Sequence, residues 1–100
     1  MLEIDPRARF GISKNIRLKA IPESDQYYAF DIESGDHFSL NRTAYWVLER
    51  ISSDVDLASL LADFGNEFGL EREEALKDLT ELLGFVFEKR IIIRRHNNET

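Results

Sequence analysis

His37-Phe38-Ser39-Leu40-Asn41-Arg42-Thr43-Ala44 is the stretch on which the fold turns, because the hydrophobic period changes inside it. Up to Leu40 apolar and polar residues alternate, so Phe38 and Leu40 share one face of a strand and His37 and Ser39 the other. Asn41 and Thr43 are both helix N-cap residues, their side-chain oxygens suited to accept from an orphan first-turn amide. Beyond them Ala44, Val47, Leu48 and Ile51 recur at i, i+3, i+4 and i+7, the buried stripe of a first helix.

Upstream, Ile16 to Ile21 alternates apolar and polar and ends at Pro22, which cannot donate to a ladder. An aromatic-rich strand follows from Gln26 to Ile32, and Glu33-Ser34-Gly35-Asp36 supplies the turn into His37. Three strands therefore form an antiparallel meander whose last member keeps an unpaired edge. Residues 1–15 read as an irregular lead-in. Downstream, Asp54 or Asp56 caps a second helix with Leu57, Leu60, Leu61, Phe64 and Phe68 on one face, closed by Gly69. A third helix runs from Glu71 to Lys89 and Arg90, with carboxylates at its start and cations at its end, as the helix dipole favours. Leu79, Leu82 and Val86 define its buried centre, flanked on one side by Asp78, Phe85 and Lys89 and on the other by Leu76, Leu83 and Phe87. Ile91 to Ile93 is a short strand or extended plug, and residues 94–100 read as a disordered tail. The expected fold is α+β: a three-stranded antiparallel sheet followed by three helices, winged-helix-like, in one domain over residues 16–93.

At 100 residues the chain is long enough for one core, and its 43% hydrophobic content can fill it. It has no cysteine, which excludes a disulfide scaffold and thiolate chemistry. The two histidines, His37 and His96, lie on an outward strand face and in the tail, so no metal site is expected. No phosphate loop, nucleophile elbow or dinucleotide fingerprint is present, and the carboxylates sit mainly on helix surfaces and first turns. Neither catalysis nor a cofactor is expected. The N-terminus lacks the apolar run of a signal peptide and no stretch is long enough to span a membrane, so a cytoplasmic location is expected.

Three helices beside a small sheet also describe a winged-helix DNA-binding regulator. The formal net charge of −6 opposes that alternative, as does a second helix without Lys or Arg and a third with Arg72 and Lys77 among six carboxylates. Trp46 projects nearly opposite the buried stripe of its helix. It is either covered by a neighbouring segment, such as Phe10 and Ile12, or an exposed anchor for a partner.

The run from Phe30 to Ala44, with its Asp31, Gly35 and Leu40-Asn41-Arg42-Thr43-Ala44, resembles the signature of the PqqD-like family. Asp78-Leu79 through Leu82-Leu83 to Val86-Phe87-Glu88-Lys89 resembles its closing helix. The likeness covers roughly residues 16–93, and the chain looks more like the free-standing members that accompany lasso-peptide enzymes than the quinone-pathway proteins. Arg90 departs from the family pattern, standing where a C-cap glycine is usual, and Gly84 lies inside the third helix. The resemblance implies a recognition element for ribosomally made precursor peptides. It binds the leader segment as an added strand along His37, Phe38, Ser39, Leu40 and Asn41, in a groove completed by the third helix. One flank of that helix should line the groove, either that of Leu76, Leu83 and Phe87 or that of Asp78, Phe85 and Lys89. The second offers an amphipathic leader an apolar floor with a polar handle, and the expected contacts are Asp78, Leu82 and Phe85. The implied partners are a precursor leader peptide and a modifying enzyme, either a radical-SAM enzyme or a leader peptidase. Neither nucleic acid nor membrane is expected, and the free edge could also join two copies as a homodimer.

Overall fold

A computed structural model describes residues 5–95. In chain order it holds β1 (Arg9–Ile12), β2 (Ile16–Ile21), a 3-10 turn at Pro22–Ser24, β3 (Gln26–Asp31), β4 (His37–Leu40), α1 (Arg42–Ser52), α2 (Leu57–Phe68), α3 (Arg72–Glu88) and β5 (Ile92–Arg95). The expected meander is present as an antiparallel sheet of order β2-β3-β4 beside three helices. A second, two-stranded sheet pairs β1 with β5. The lead-in is thus not irregular throughout, and Arg94 and Arg95 belong to a strand rather than to a tail. The remainder of the expected tail, including His96, lies outside the described residues.

Local chemistry explains each helix start. Asn41, with extended backbone, accepts from the Ala44 N–H at 2.7 Å, and Asp56 accepts from the Ser59 N–H at 2.8 Å. The two preceding orphan donors of α2 are met by the lead-in: Leu57 N–H reaches the Ala8 carbonyl at 2.8 Å and Ala58 N–H that of Pro6 at 2.9 Å. These bonds fasten the segment before β1 across the start of α2. Hydrogen bonding by Ser59 favours the ionised Asp56 carboxylate and holds its pKa below the ordinary value. A depressed folded-state pKa contributes stability above about pH 4 that is lost as the pH falls through the lowered value. Asp56→Asn keeps a capping oxygen without the charge. It is therefore expected to flatten this part of the acid limb in urea-unfolding midpoints measured between about pH 5 and pH 2.

The end of α3 carries a residue that breaks the sequence rule. Arg90 has φ 62°, the left-handed conformation that glycine adopts without steric cost. Its N–H bonds the Phe87 carbonyl at 3.0 Å while Ile91 N–H bonds that of Val86 at 2.9 Å, and both Val86 and Ile91 are buried. That is a complete Schellman ending with arginine in the glycine position. Packing of Ile91 holds the strained residue in place. Arg90→Gly is expected to stabilise the chain by about 1 kcal/mol, read as a raised urea midpoint with unchanged slope.

One core joins these parts. Ala29 and Leu40 from the sheet, Val47, Leu48 and Ile51 from α1, Leu60 and Phe64 from α2, Leu79, Leu83 and Val86 from α3, and Ile91 and Ile92 all pack together. The buried line of α3 is Ala75, Leu79, Leu83 and Val86; Leu82, expected at its centre, is only half-buried, and Leu83, expected on a flank, is fully covered. Trp46 is covered, but by α2 rather than by Phe10 and Ile12: its ring lies 5.4 Å from Phe68 and 6.1 Å from Phe64. Arg50, ion-paired with Asp63, lies over the same ring at 5.7 Å. Among the described residues no helix is long and apolar enough to cross a membrane.

Candidate functional site: the free edge of β4 and one flank of α3

β4 is the last strand of its sheet and, among the described residues, pairs only with β3, in the register Tyr27↔Leu40, Tyr28↔Ser39, Ala29↔Phe38 and Phe30↔His37. Which backbone groups stay free follows from the turn. Asp31 N–H bonds the Asp36 carbonyl at 2.8 Å, the first rung of the ladder, and antiparallel rungs recur at every second pair. Ala29–Phe38 and Tyr27–Leu40 are therefore the bonded pairs. The N–H and C=O of His37 and Ser39, and the N–H of Asn41, point away from β3. The Asn41 carbonyl accepts from Tyr45 N–H at 3.1 Å, so its contribution to the edge is a donor alone.

The turn that sets this register is itself pinned. The Asp31 carboxylate accepts from Glu33 N–H at 2.9 Å and Ser34 N–H at 3.2 Å, and Gly35 takes φ 83°. Hydrogen bonds from Ser34 and Glu33 lower the Asp31 pKa, because they favour its charged form.

Side chains along β4 divide by face. Leu40 is buried, Phe38 is half-buried against the core, and His37 and Ser39 are exposed. The Asn41 side chain is committed to capping α1. The four strand residues and Asn41 thus offer alternate backbone groups, one partly open aromatic face at Phe38, and two outward side chains.

On α3, Asp78, Leu82, Phe85 and Lys89 fall on one flank by helical angle. Asp78 and Lys89 are exposed, Leu82 is half-buried, and Phe85 is 48% exposed with the Lys89 ammonium 5.6 Å from its ring centre. Asp78 makes no side-chain hydrogen bond or ion pair among the described residues. The opposite flank is partly covered. Leu76 and Thr80 line a cavity of about 140 Å³ with Pro6, Leu57 and Ala58, and Phe87 meets Phe10 edge-on at 6.5 Å. The fastened N-terminal segment and β1 therefore approach that side of the helix, where Phe87 still stays 41% exposed.

No group of histidine and carboxylate side chains among the described residues is arranged to hold a metal ion. Reading the sequence by strand alternation located the edge but not the alternation of its free backbone groups. That signal was present in the length of the Asp31–Asp36 turn, which fixes the rungs.

The model of one protein family, coenzyme PQQ synthesis protein D, matches residues 26–92. A comparison with curated proteins gives no match. Among solved structures, the fold is similar to that of a lasso peptide synthetase B1 complexed with its leader peptide. The TM-score is 0.74 and the identity 22%, over 86% of this chain and 99% of that one. It is also similar to TbiB1 in complex with the TbiA(beta) leader peptide, with TM-score 0.72 and 16% identity over 82% of this chain and 93% of that one. At these identities the likeness speaks for the fold. The family match spans β3 through the start of β5, and with it the turn, the free edge and all three helices, so the chain belongs to the PqqD family.

Proposed function

We propose that the protein binds the leader segment of a ribosomally made precursor peptide as a fourth strand on β4 and presents it to a modifying or cleaving enzyme. The observation that carries this reading is the β4 edge itself, with outward groups on His37, Ser39 and Asn41 and, among the described residues, no strand against them. Backbone pairing of that kind gives affinity with little dependence on sequence, while pockets for alternate side chains supply selectivity. The two similar structures were both solved with leader peptides, which supports the same ligand class here. The domain takes in the expected residues 16–93 together with β1 and the rest of β5, which pair with each other, and works in the cytoplasm, where precursors are made. The enzyme it serves is a radical-SAM enzyme or a leader peptidase, and catalysis resides there rather than in this chain.

Phe38, Leu82 and Phe85 supply the apolar side of the groove, with Asp78 and Lys89 as polar handles. Partial cover of the opposite α3 flank by Pro6 and Phe10 supports this choice of side. An unliganded homodimer through β4 would compete for the same groups, and leader peptide would dissociate it. The charge of α2 and α3 opposes the DNA-binding alternative.

The test is a calorimetric titration with the leader segment of its precursor peptide. Phe85→Ala is expected to weaken binding about tenfold, the loss of one partly buried aromatic contact, with the unfolding midpoint nearly unchanged because the ring is half-exposed. Absence of binding by the unaltered chain would refute the proposal.

A further inference from the structure

The sheet has a second face, directed away from the helices. Strand register sets its side chains in two rows: Arg17, Phe30 and His37 in one, Lys19, Tyr28 and Ser39 in the next. In each row a cation on β2 stands beside an aromatic ring on β3 and a polar side chain on β4. Arg17, Lys19, His37 and Ser39 are exposed, the Arg17 guanidinium also donating to the Lys14 and Ile16 carbonyls, and Tyr28 and Phe30 are half-buried outside the core cluster. The rings form a continuous strip, with Tyr28 and Phe30 centres 6.0 Å apart and Phe30 and His37 5.7 Å apart. Carboxylates stand in the turns at the two ends, at Glu23 and Asp25 and at Glu33 and Asp36, and none stands in the rows. In a chain of net charge −6 this is a segregated cationic and aromatic surface.

We infer that this outer face, carried by Arg17, Lys19, Tyr28 and Phe30, docks a carboxylate-bearing protein surface: that of the enzyme to which the leader is delivered. The inference rests on the proposed leader-binding role. Two features favour such an occupant. Exposed cations beside aromatic faces complement carboxylates and apolar stems, and aromatic and Arg side chains concentrate in interface centres. Both rows also end on β4 at His37 and Ser39, so a strand added there would extend each row by one side chain. An enzyme seated on the rows would then touch the domain and alternate residues of the bound leader together, and would recognise the loaded state. Net charge disfavours nucleic acid as the occupant, since phosphate binding needs clustered cations in excess.

The experiment follows backbone amides of the full chain by NMR with blocked oligoglutamate as a model of the acidic surface, and oligothymidylate and oligolysine in separate arms. Oligoglutamate is expected to shift the amides of Arg17, Lys19, Tyr28, Phe30 and His37, with affinity falling about fivefold from low to physiological salt as exposed charges are screened. Arg17→Glu combined with Lys19→Glu should abolish these shifts while leaving leader affinity within about twofold, since neither residue lies on the β4 edge. No shift on the two rows, or stronger binding of oligothymidylate at equal salt, would overturn the inference. So would loss of leader binding in the double variant, which would make the face part of the leader site. Failure of the unaltered chain to bind leader is a separate result that strikes the proposed function.

Discussion

Ser39→Pro is expected to lower leader affinity at least tenfold while the fold survives. Ser39 is an outward rung of β4: its N–H faces the free edge and takes no part in the pairing with β3. Proline at such a position removes one donor from the incoming strand and projects its ring into the space that strand would fill. Proline is tolerated on edge strands where the N–H faces solvent, so the cost to stability is small. A lost backbone bond of about 1 kcal/mol plus the steric block corresponds to tenfold or more in affinity. The contrast is Phe38→Pro, one residue away, which removes the bonded rung to Ala29 and is expected to destabilise the whole sheet. Calorimetric titration and thermal unfolding of the two variants separate the effects. Equal leader binding by Ser39→Pro and the unaltered chain would place the ligand elsewhere.

The largest expected loss of stability is at Leu83, which is fully buried between the helices and the sheet. Leu83→Ala should cost about 2 to 5 kcal/mol, since transfer and cavity terms add where the surroundings cannot collapse. That is a large fraction of the stability of a domain this small. Leu82→Ala, at the neighbouring half-buried position, is expected to cost clearly less and to act mainly on leader affinity. Urea unfolding of both variants measures the rotation of α3 directly. If Leu82 proved the more costly, the helix would sit turned by about 100° from the orientation described here.

That pair of leucines also shows where the sequence stopped being informative. The meander and α1 are legible because β2 and β4 alternate strictly and the pattern changes period at one residue, Asn41, which also caps the helix. In α3, Leu76, Leu79, Leu82, Leu83, Phe85, Val86 and Phe87 leave apolar residues on most sides, so periodicity alone cannot fix the phase. Tertiary packing chose the line through Leu83, and Leu82 was left on the open flank. The β1–β5 pairing was hidden for another reason. Its strands are four residues each, one contains Gly11, and they lie at opposite ends of the sequence, where no local signal links them. Trp46 was readable either as covered or as an exposed anchor, and its cover comes from Phe64 and Phe68 on a helix whose position no local pattern specifies. Arg90 runs against propensity, and only the buried Ile91 beyond it accounts for a left-handed arginine. The candidate site follows the same division: the β4 edge was visible in the sequence, whereas the partly covered and open flanks of α3 depend on the N-terminal segment that crosses α2.

The most direct test of the account is amide hydrogen exchange along β4 with and without bound leader. Strand addition predicts that the N–H groups of His37, Ser39 and Asn41 exchange rapidly in the free protein and become protected in the complex, while those of Phe38 and Leu40, already bonded to β3, change little. Saturating leader that leaves His37, Ser39 and Asn41 as exposed as before would contradict it.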